Sequence, residues 1–152
     1  MHLITYLDFL RTAEETLGRS YRLVSDGHAA DADVRWTTAR FCGQCAEHAG
    51  ALAPLRERSE APREPVPERP HAQGLTAART GPAGLLRDLQ DLYQLATLVD
   101  ITWELIGQAG HAVRDRGLLR VVDDCASETR AQLAWLRMRM KSVAPRTLVV
   151  AG

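Results

Sequence analysis

The chain has no excess of charge of either sign. Its 152 residues include 19 Lys and Arg and 19 Asp and Glu, and only one of the basic residues, Lys141, is a lysine. The basic residues are spread along the chain and form no block, so the sequence creates no field that would attract a polyanion or an anionic membrane. We therefore expect neither nucleic acid nor a membrane as a partner.

Long apolar runs and an export signal are also lacking. No stretch approaches the roughly 18 apolar residues that a membrane span requires. The N-terminal stretch MHLITYLDFLRTAEETL has no basic start and is interrupted by Asp8 and Arg11, unlike a secretory signal. We expect a cytoplasmic protein, in which the three cysteines are thiols or metal ligands and not disulfides.

What the sequence does contain is apolar residues at alternating spacings of three and four, which is typical of helices with one buried face. Four segments show this pattern, at about residues 2–24, 33–57, 82–110 and 115–141. Gly27 is suited to end the first helix, Asp31 or Asp33 to cap the second, and Pro82 to begin the third. Pro145 is expected to stop the fourth helix and leave a tail at 142–152.

The segment 58–81 is rich in Pro and charge and has no periodicity, so we expect an extended connection. Two helical hairpins joined in this way predict an all-α four-helix bundle that forms one domain, residues 1–152. About two dozen extended residues reach on the order of 70 Å, whereas such helices are roughly 40 Å long. The connection can therefore cross the whole bundle, which favours a ferritin-type topology, although a slack loop between antiparallel neighbours also fits.

Polar residues interrupt the apolar face of every predicted helix. They are Glu14 in the first helix, Cys45 and His48 in the second, Asp100 in the third, and Cys125, with Glu128 at the rim, in the fourth. Burying an unpaired charge costs several kcal/mol, so residues of this kind are expected to meet. Counting from a turn near residue 27 places Glu14 opposite about residue 41, roughly 6 to 10 Å short of Cys45 and His48. Cys42 lies at the edge of the apolar face, and Glu47 points outward.

This arrangement resembles the ferritin-like superfamily of carboxylate-bridged metal proteins. The resemblance covers the four helices and rests on Glu14, on Cys45-Ala-Glu-His48, on Asp100 where the family has Glu, and on Cys125-Ala-Ser-Glu128. The family usually carries Glu-x-x-His on its second and fourth helices, so only Glu14 and His48 match by residue type. The resemblance implies a metal in the middle of the bundle, with a role in redox chemistry, storage or sensing.

Thiolate, imidazole and carboxylate ligands suit zinc better than oxygen-bridged iron. We therefore expect a zinc site, or otherwise an iron site, formed by Cys45, His48 and Cys125. Glu14 or Asp100 would be the fourth ligand or a hydrogen-bond partner of the ligands, and Glu128 is a further candidate ligand. Two ligands three residues apart on one helix do converge on one side of it.

A second interpretation needs no metal. Buried cysteines often act as small apolar residues, and His48 with Glu14 or Asp100 can form a hydrogen-bonded pair that fixes helix register. The protein would then bind another protein or a second copy of itself. Its contact surface would be the linker, the tail, or the outward side chains Tyr6, Phe9, Trp135 and Met138.

An enzymatic role is not indicated by any motif. A neighbouring imidazole can activate a thiol, but the position of Cys45 and His48 on an apolar helix face leaves no evident cleft or oxyanion donor. The other histidines, at positions 2, 28, 71 and 111, lie at the terminus, in turns or in the linker and are expected to be solvated.

Overall fold

The chain forms four long helices, as the sequence predicts. The computed structural model describes residues 2–58 and 72–150, which contain no strand. The helices are α1 (Leu3–Gly27), α2 (Ala32–Glu57), α3 (Gly81–Val113) and α4 (Arg116–Pro145). Each begins within about one residue of its predicted start, whereas α1, α3 and α4 run about three or four residues past their predicted ends. None of the helices in the described ranges combines the length and apolar character that crossing a bilayer requires.

Local sequence explains where α2 and α4 begin. The side chain of Asp31 accepts a hydrogen bond of 3.2 Å from the backbone N–H of Val34, and Asp115 accepts one of 3.1 Å from Leu118. Each cap satisfies an N–H group that has no partner inside its own helix. The chain can therefore turn sharply before α2 and before α4, which produces the two predicted hairpins.

The end of α4 differs from the prediction that Pro145 stops the helix and leaves a tail at 142–152. The helix includes Pro145 and continues into a wider π-helical turn, Arg146–Val150. Proline removes one N–H donor, but its fixed φ angle is compatible with a helical turn, and Arg146 keeps helical φ and ψ angles of −66° and −40°. Thr147 is buried in this turn, whereas Leu148 is exposed. Residues 151 and 152 lie outside the described part.

Contacts at one end of the bundle give the directions of three helices. Asp8, in the first turns of α1, pairs with Arg56 in the last turn of α2. Arg58, directly after α2, pairs with Asp115, directly before α4, at 3.4 Å. The start of α1, the end of α2 and the start of α4 therefore lie together, so α1 and α4 run in one direction and α2 in the other.

The direction of α3 follows from contacts at the opposite end. His28, directly after α1, is 2.8 Å from Asp88 in the first turns of α3, so α3 runs antiparallel to α1 and parallel to α2. Helix α1 packs against α2 and α3, and α4 packs against the same two helices. The connection from α2 to α3 must therefore cross the full length of the bundle.

The described part of this connection, residues 72–80, lies along α1. The backbone N–H of Leu75 donates to the hydroxyl of Ser20 at 3.1 Å. Gly74 lies so close to α1 that an added Cβ would be 2.6 Å from the methyl group of Thr16, which explains a glycine here. The segment has neither helix nor strand, as predicted, and residues 59–71 of the predicted linker lie outside the described part.

Two of the four side chains predicted to face outward do not. Phe9 is buried, and Trp135 is partly buried, with its ring centre 5.7 Å from that of Phe41. Tyr6 and Met138 are exposed. Each helix of this bundle packs against two neighbours, so the arc that it buries is wider than the single line of apolar residues on which the prediction was based.

Candidate functional site: a polar cluster in the middle of the bundle

A group of polar side chains lies inside the bundle, and we call it the mid-bundle cluster. All four helices contribute: Glu14 and Tyr21 from α1, Gln44, Cys45 and His48 from α2, Trp103 from α3, and Cys125, Glu128 and Gln132 from α4. Five of the six predicted metal ligands are therefore close together. The sixth, Asp100, is not among the residues that these contacts connect.

His48 lies at the centre of the cluster and is 2% exposed. Its Nδ1 atom is 3.0 Å from Oε1 of Glu14, and its Nε2 atom is 3.3 Å from Oε1 of Glu128. The imidazole ring thus lies between two carboxylates and links α1, α2 and α4. Glu14 is fully buried, whereas the side chain of Glu128 is 41% exposed, so these contacts lead from the surface to the core.

The electrostatics of this arrangement favour a protonated imidazole. Burial alone would lower the pKa of His48, but the hydrogen bond and charge of Glu14, followed by those of Glu128, outweigh burial and raise the pKa above its ordinary value. A protonated ring can donate from both nitrogens, which is what two facing carboxylates require. The contacts therefore favour the imidazolium form of His48, which can donate one hydrogen bond to each glutamate.

Glu14 is the most connected acid of the cluster. The indole N–H of Trp103 donates to its Oε1 atom at 2.9 Å, so this oxygen accepts from both Trp103 and His48. Its second oxygen, Oε2, is buried and has no hydrogen-bond partner among the described residues. A buried polar atom of this kind is normally satisfied by water, by a proton or by an ion.

The length of α1 explains why Glu14 meets His48. The turn between α1 and α2 is centred near residues 29 and 30, later than the sequence count assumed, so Glu14 lies opposite about residue 45. Gly18 allows the two helices to approach at this level, because an added Cβ would be 3.2 Å from the Cβ of Cys45. The predicted offset between Glu14 and the Cys45–His48 pair is therefore too large.

The two cysteines of the cluster are buried thiols. No cysteine forms a disulfide; Cys45 is fully buried and Cys125 is 5% exposed. Burial, followed by the negative charge of Glu14, raises the pKa of Cys45 far above its ordinary value and raises the pKa of Cys125 to about 12. Reactive or metal-binding cysteines normally have a lowered pKa, so both side chains are thiols at neutral pH.

A second row of hydrogen bonds extends the cluster along the bundle. The hydroxyl of Tyr21 donates to Oε1 of Gln132 at 3.0 Å, and Nε2 of Gln132 donates to Oε1 of Gln44 at 3.0 Å. Both Tyr21 and Gln132 are fully buried. This row ties α1, α4 and α2 together about one turn from His48, since Gln44 precedes His48 by four residues.

Sequence reasoning did not assign these residues to the site, although a signal was present. Tyr21 follows Glu14 by seven residues and Gln132 follows Cys125 by seven, which places each on the same helix face as the predicted site residue. Trp103 gives no such signal, because an indole on an apolar face does not reveal the acceptor of its N–H group.

Asp100 lies at the edge of α3 instead of in the cluster. Burial and then Glu104 raise the pKa of Asp100, while Arg130 of α4 lowers it; these neighbours are not members of the cluster. Three residues correspond to a rotation of about 60° on a helix surface. Trp103, which is fully buried, therefore supplies the contact from α3 to Glu14.

In this geometry both ring nitrogens of His48 are engaged by glutamates. Within residues 2–58 and 72–150, no three His, Cys, Asp or Glu side chains are arranged to hold one. The carboxylates of Glu14 and Glu128 face opposite nitrogens of His48, whereas one metal ion would bind only one nitrogen of that ring. Metal ligands must also be deprotonated, and burial, followed by the charge of Glu14, opposes deprotonation of both Cys45 and Cys125 as long as no cation is bound.

A second histidine–carboxylate pair lies at the end of the bundle where α3 begins. His28 contacts Asp88, which is fully buried and also accepts bonds from the backbone N–H and the guanidinium of Arg79 at 2.9 and 2.7 Å. The expectation that His28 is solvated is therefore wrong, because α3 and the end of the connection enclose the turn after α1. His2 and His111 are exposed as expected, and position 71 lies outside the described part.

No protein-family model matches this chain, and comparisons with curated proteins and with solved structures found no significant match to either.

Proposed function

We propose that this chain is a divergent ferritin-like bundle in which the mid-bundle cluster stabilises the fold without a metal, and that its activity is protein binding at the surface of α1 and α3. The observation that carries the proposal is the position of His48, whose two ring nitrogens each face a carboxylate from a different helix at 3.0 and 3.3 Å. This arrangement satisfies the histidine by itself and leaves neither nitrogen free for another ligand.

The ferritin-like part of the proposal is supported by the direction of the helices and by the level of the cluster. The connection between the hairpins crosses the bundle, and the chain supplies one set of inward polar residues from each helix at mid-length. Glu14 and His48, the two residues that match the superfamily by type, lie in contact at 3.0 Å. Trp103 contributes from α3, where the superfamily has an acid.

A buried charged network often stabilises a core no better than apolar side chains do, so its presence needs an explanation other than stability. Removing one partner from such a network leaves an uncompensated buried charge, whereas apolar packing would be at least as stable. A network that requires four helices at once restricts their register. We infer that the cluster holds the helices in one arrangement and thereby keeps the outer surface in a fixed shape.

The outer surface favours protein binding because it contains an apolar groove, which we call the α1–α3 groove. It has a volume of about 410 Å³ and lies between the start of α1 and the end of α3. Its walls are formed by His2, Leu3, Tyr6, Leu105, Ile106, Ala109, Ala112 and Val113. Contiguous exposed apolar surface is typical of protein contacts.

The metal content of the protein tests this proposal. The chain is purified without an affinity tag in the presence of a thiol reductant, and its transition metals are measured beside those of a Cys45→Ser, His48→Ala double variant. We expect less than about a tenth of an equivalent of any transition metal in both samples, after incubation with zinc or ferrous iron and removal of the excess. About one equivalent bound by the wild type and lost in the double variant would contradict the proposal.

A second candidate function, binding of zinc or iron, is favoured by one observation. The Oε2 atom of Glu14 is buried without a partner, and Cys45, His48 and Cys125 surround this carboxylate. A bound cation would satisfy that oxygen, but His48 would first have to release one carboxylate and the thiols would have to lose their protons. The same metal measurement decides between the two candidates.

A further inference from the structure

Another pocket lies at the end of the bundle opposite to the α1–α3 groove, and we call it the end pocket. It has a volume of about 590 Å³ and lies between the turn after α1, the first turn of α3, and the end of α4 with the π-helical turn that follows it. This volume is within the range of small-molecule sites. The end pocket shares no residue with the groove or with the mid-bundle cluster.

The wall of the end pocket contains Thr147, whose buried hydroxyl has no partner. Thr147 is 9% exposed, and its Oγ1 atom forms no hydrogen bond with any described residue. Five threonines of the α-helices instead donate to the carbonyl four residues earlier, at 2.6 to 3.1 Å: Thr12, Thr38, Thr97, Thr102 and Thr129. Thr147 lies in the π-helical turn, where the backbone spacing is wider. A buried hydroxyl of this kind calls for an acceptor or donor from outside the chain.

Two arginines of the end pocket differ in how their charges are compensated. Arg139 pairs with Asp31, donates to Ser142 at 3.1 Å, and lies 3.6 Å from Asp33. Arg146 is exposed and makes no ion pair with the described residues. Since Asp31 also lines the pocket and is paired with Arg139, one positive charge, that of Arg146, is left without an acid.

The first turn of α3 adds partial positive charge to the same wall. Thr80 provides no side-chain cap for this helix, and Gly81 and Leu85 line the pocket. The N–H groups that begin a helix have no partner inside it, and the helix dipole favours an anion there. His28 lines the pocket as well, but it faces the buried carboxylate of Asp88 at 2.8 Å.

The remaining wall is largely apolar and includes Ala30, Pro82, Leu85 and Val143. A ligand that fills this space therefore needs an apolar body beside its charged group. One uncompensated guanidinium matches a single negative charge, and a carboxylate accepts two parallel hydrogen bonds from a guanidinium. These features together favour an organic monoanion over inorganic phosphate.

We propose that the end pocket binds a small organic carboxylate. Its carboxylate accepts hydrogen bonds from Arg146 and from the hydroxyl of Thr147, and its apolar body lies against Leu85 and Val143. Threonine in a helix occupies two χ1 rotamers, so rotation about χ1 turns the Thr147 hydroxyl towards the ligand. The inference goes beyond the proposed function and does not rest on it.

An NMR titration of the nitrogen-15-labelled full chain with hexanoate tests the proposal. We expect saturable binding with a Kd of about 1 mM or below and the largest signal changes at residues that line the end pocket. 1-Hexanol lacks the charge, acetate lacks the apolar body, and inorganic phosphate lacks both the carboxylate geometry and the apolar body. Each is expected to bind at least about tenfold more weakly than hexanoate.

Three variants locate the ligand. Arg146→Gln is expected to weaken hexanoate binding by at least about tenfold. Arg120→Gln is the matched control, because Arg120 is an exposed arginine of α4 that does not line the pocket, and it should leave the Kd unchanged within about twofold. Thr147→Val keeps the shape of the side chain and should weaken binding by about tenfold. Its stability in urea should be unchanged or raised, because valine leaves no unsatisfied hydroxyl.

The absence of saturable hexanoate binding up to about 10 mM, or 1-hexanol binding as tightly as hexanoate, would overturn the proposal. Phosphate binding more tightly than hexanoate would overturn the assignment of an organic carboxylate. Unchanged affinity in Arg146→Gln or in Thr147→Val, with circular dichroism showing that the variant is folded, would place hexanoate elsewhere and overturn the assigned site.

Discussion

The middle of the bundle and the outer face of α3 invert the usual distribution of polarity. In the middle, a histidine and two glutamates occupy space that apolar side chains normally fill, whereas on the outer face Ile101 and Leu105 are exposed to water. The inner charges are almost fully satisfied by one another; the outer apolar side chains have no partner within residues 2–58 and 72–150. In the account proposed above, the interior holds the fold together and this surface is where a partner would bind.

Removing Glu14, the buried acid of the mid-bundle cluster, is expected to lower stability the most. Glu14→Ala would leave the His48 cation and the Trp103 N–H buried without their acceptor, and breaking a buried pair in this way costs about 3 to 5 kcal/mol. Urea unfolding measures the loss. Glu15→Ala is the matched control, because Glu15 is 47% exposed and should change stability by less than about 0.5 kcal/mol. A loss below about 1 kcal/mol for Glu14→Ala would show that the cluster does not hold the fold together.

Removing an indole N–H is expected to lower stability by an intermediate amount in the interior and to have almost no effect on the surface. Trp103→Phe keeps an aromatic ring but removes the N–H that donates to Glu14, and a buried acceptor that loses its donor costs about 1 to 3 kcal/mol. Trp36→Phe changes the same atoms at a 66% exposed position and should alter stability by less than about 0.5 kcal/mol. Equal effects in the two variants would remove the distinction between the regions.

A change of pH is expected to alter the free energy of unfolding by a smaller amount, and the raised pKa of His48 sets the direction of that change. Because the folded pKa of His48 is raised, its contribution to stability is complete below the unfolded value of about 6.5 and is lost as pH rises through the folded pKa. Each unit by which the pKa is raised corresponds to about 1.4 kcal/mol. The free energy of unfolding is measured at several pH values beside His48→Gln, and the advantage of the wild type should shrink as pH rises. An advantage that grows with pH would contradict the imidazolium.

The sequence allowed the fold to be predicted well because four apolar faces, an Asp cap before α2 and one Pro-rich connection act locally. It also identified Glu14, His48 and the two buried cysteines, since polar residues on an apolar face must meet a partner. It did not identify Trp103 or the Tyr21–Gln132 contact, because the acceptor of an indole or phenol group is fixed only when helices pack.

The end of α4 and the position of Asp100 were also predicted incorrectly, because both depend on how the helices pack. Pro145 is exposed, and the turn that follows it contacts α3, an arrangement that the local sequence does not reveal. Asp100 differs from Trp103 by only about 60° around α3, less than the uncertainty of a helix orientation inferred from periodicity alone. A small error in the predicted orientation of a helix therefore assigns the wrong one of two nearby residues to the site.

The protonation state of His48 tests the central claim most directly. Nitrogen-15 NMR of histidine-labelled protein, with His48→Gln used to assign the signals, reports whether each ring nitrogen carries a proton. We predict that both nitrogens of His48 are protonated at pH 6.5 and stay so to higher pH than those of exposed histidines, and that added zinc does not shift them. A ring with one bare nitrogen at pH 6.5, or a signal that moves when one equivalent of zinc is added, would contradict the account.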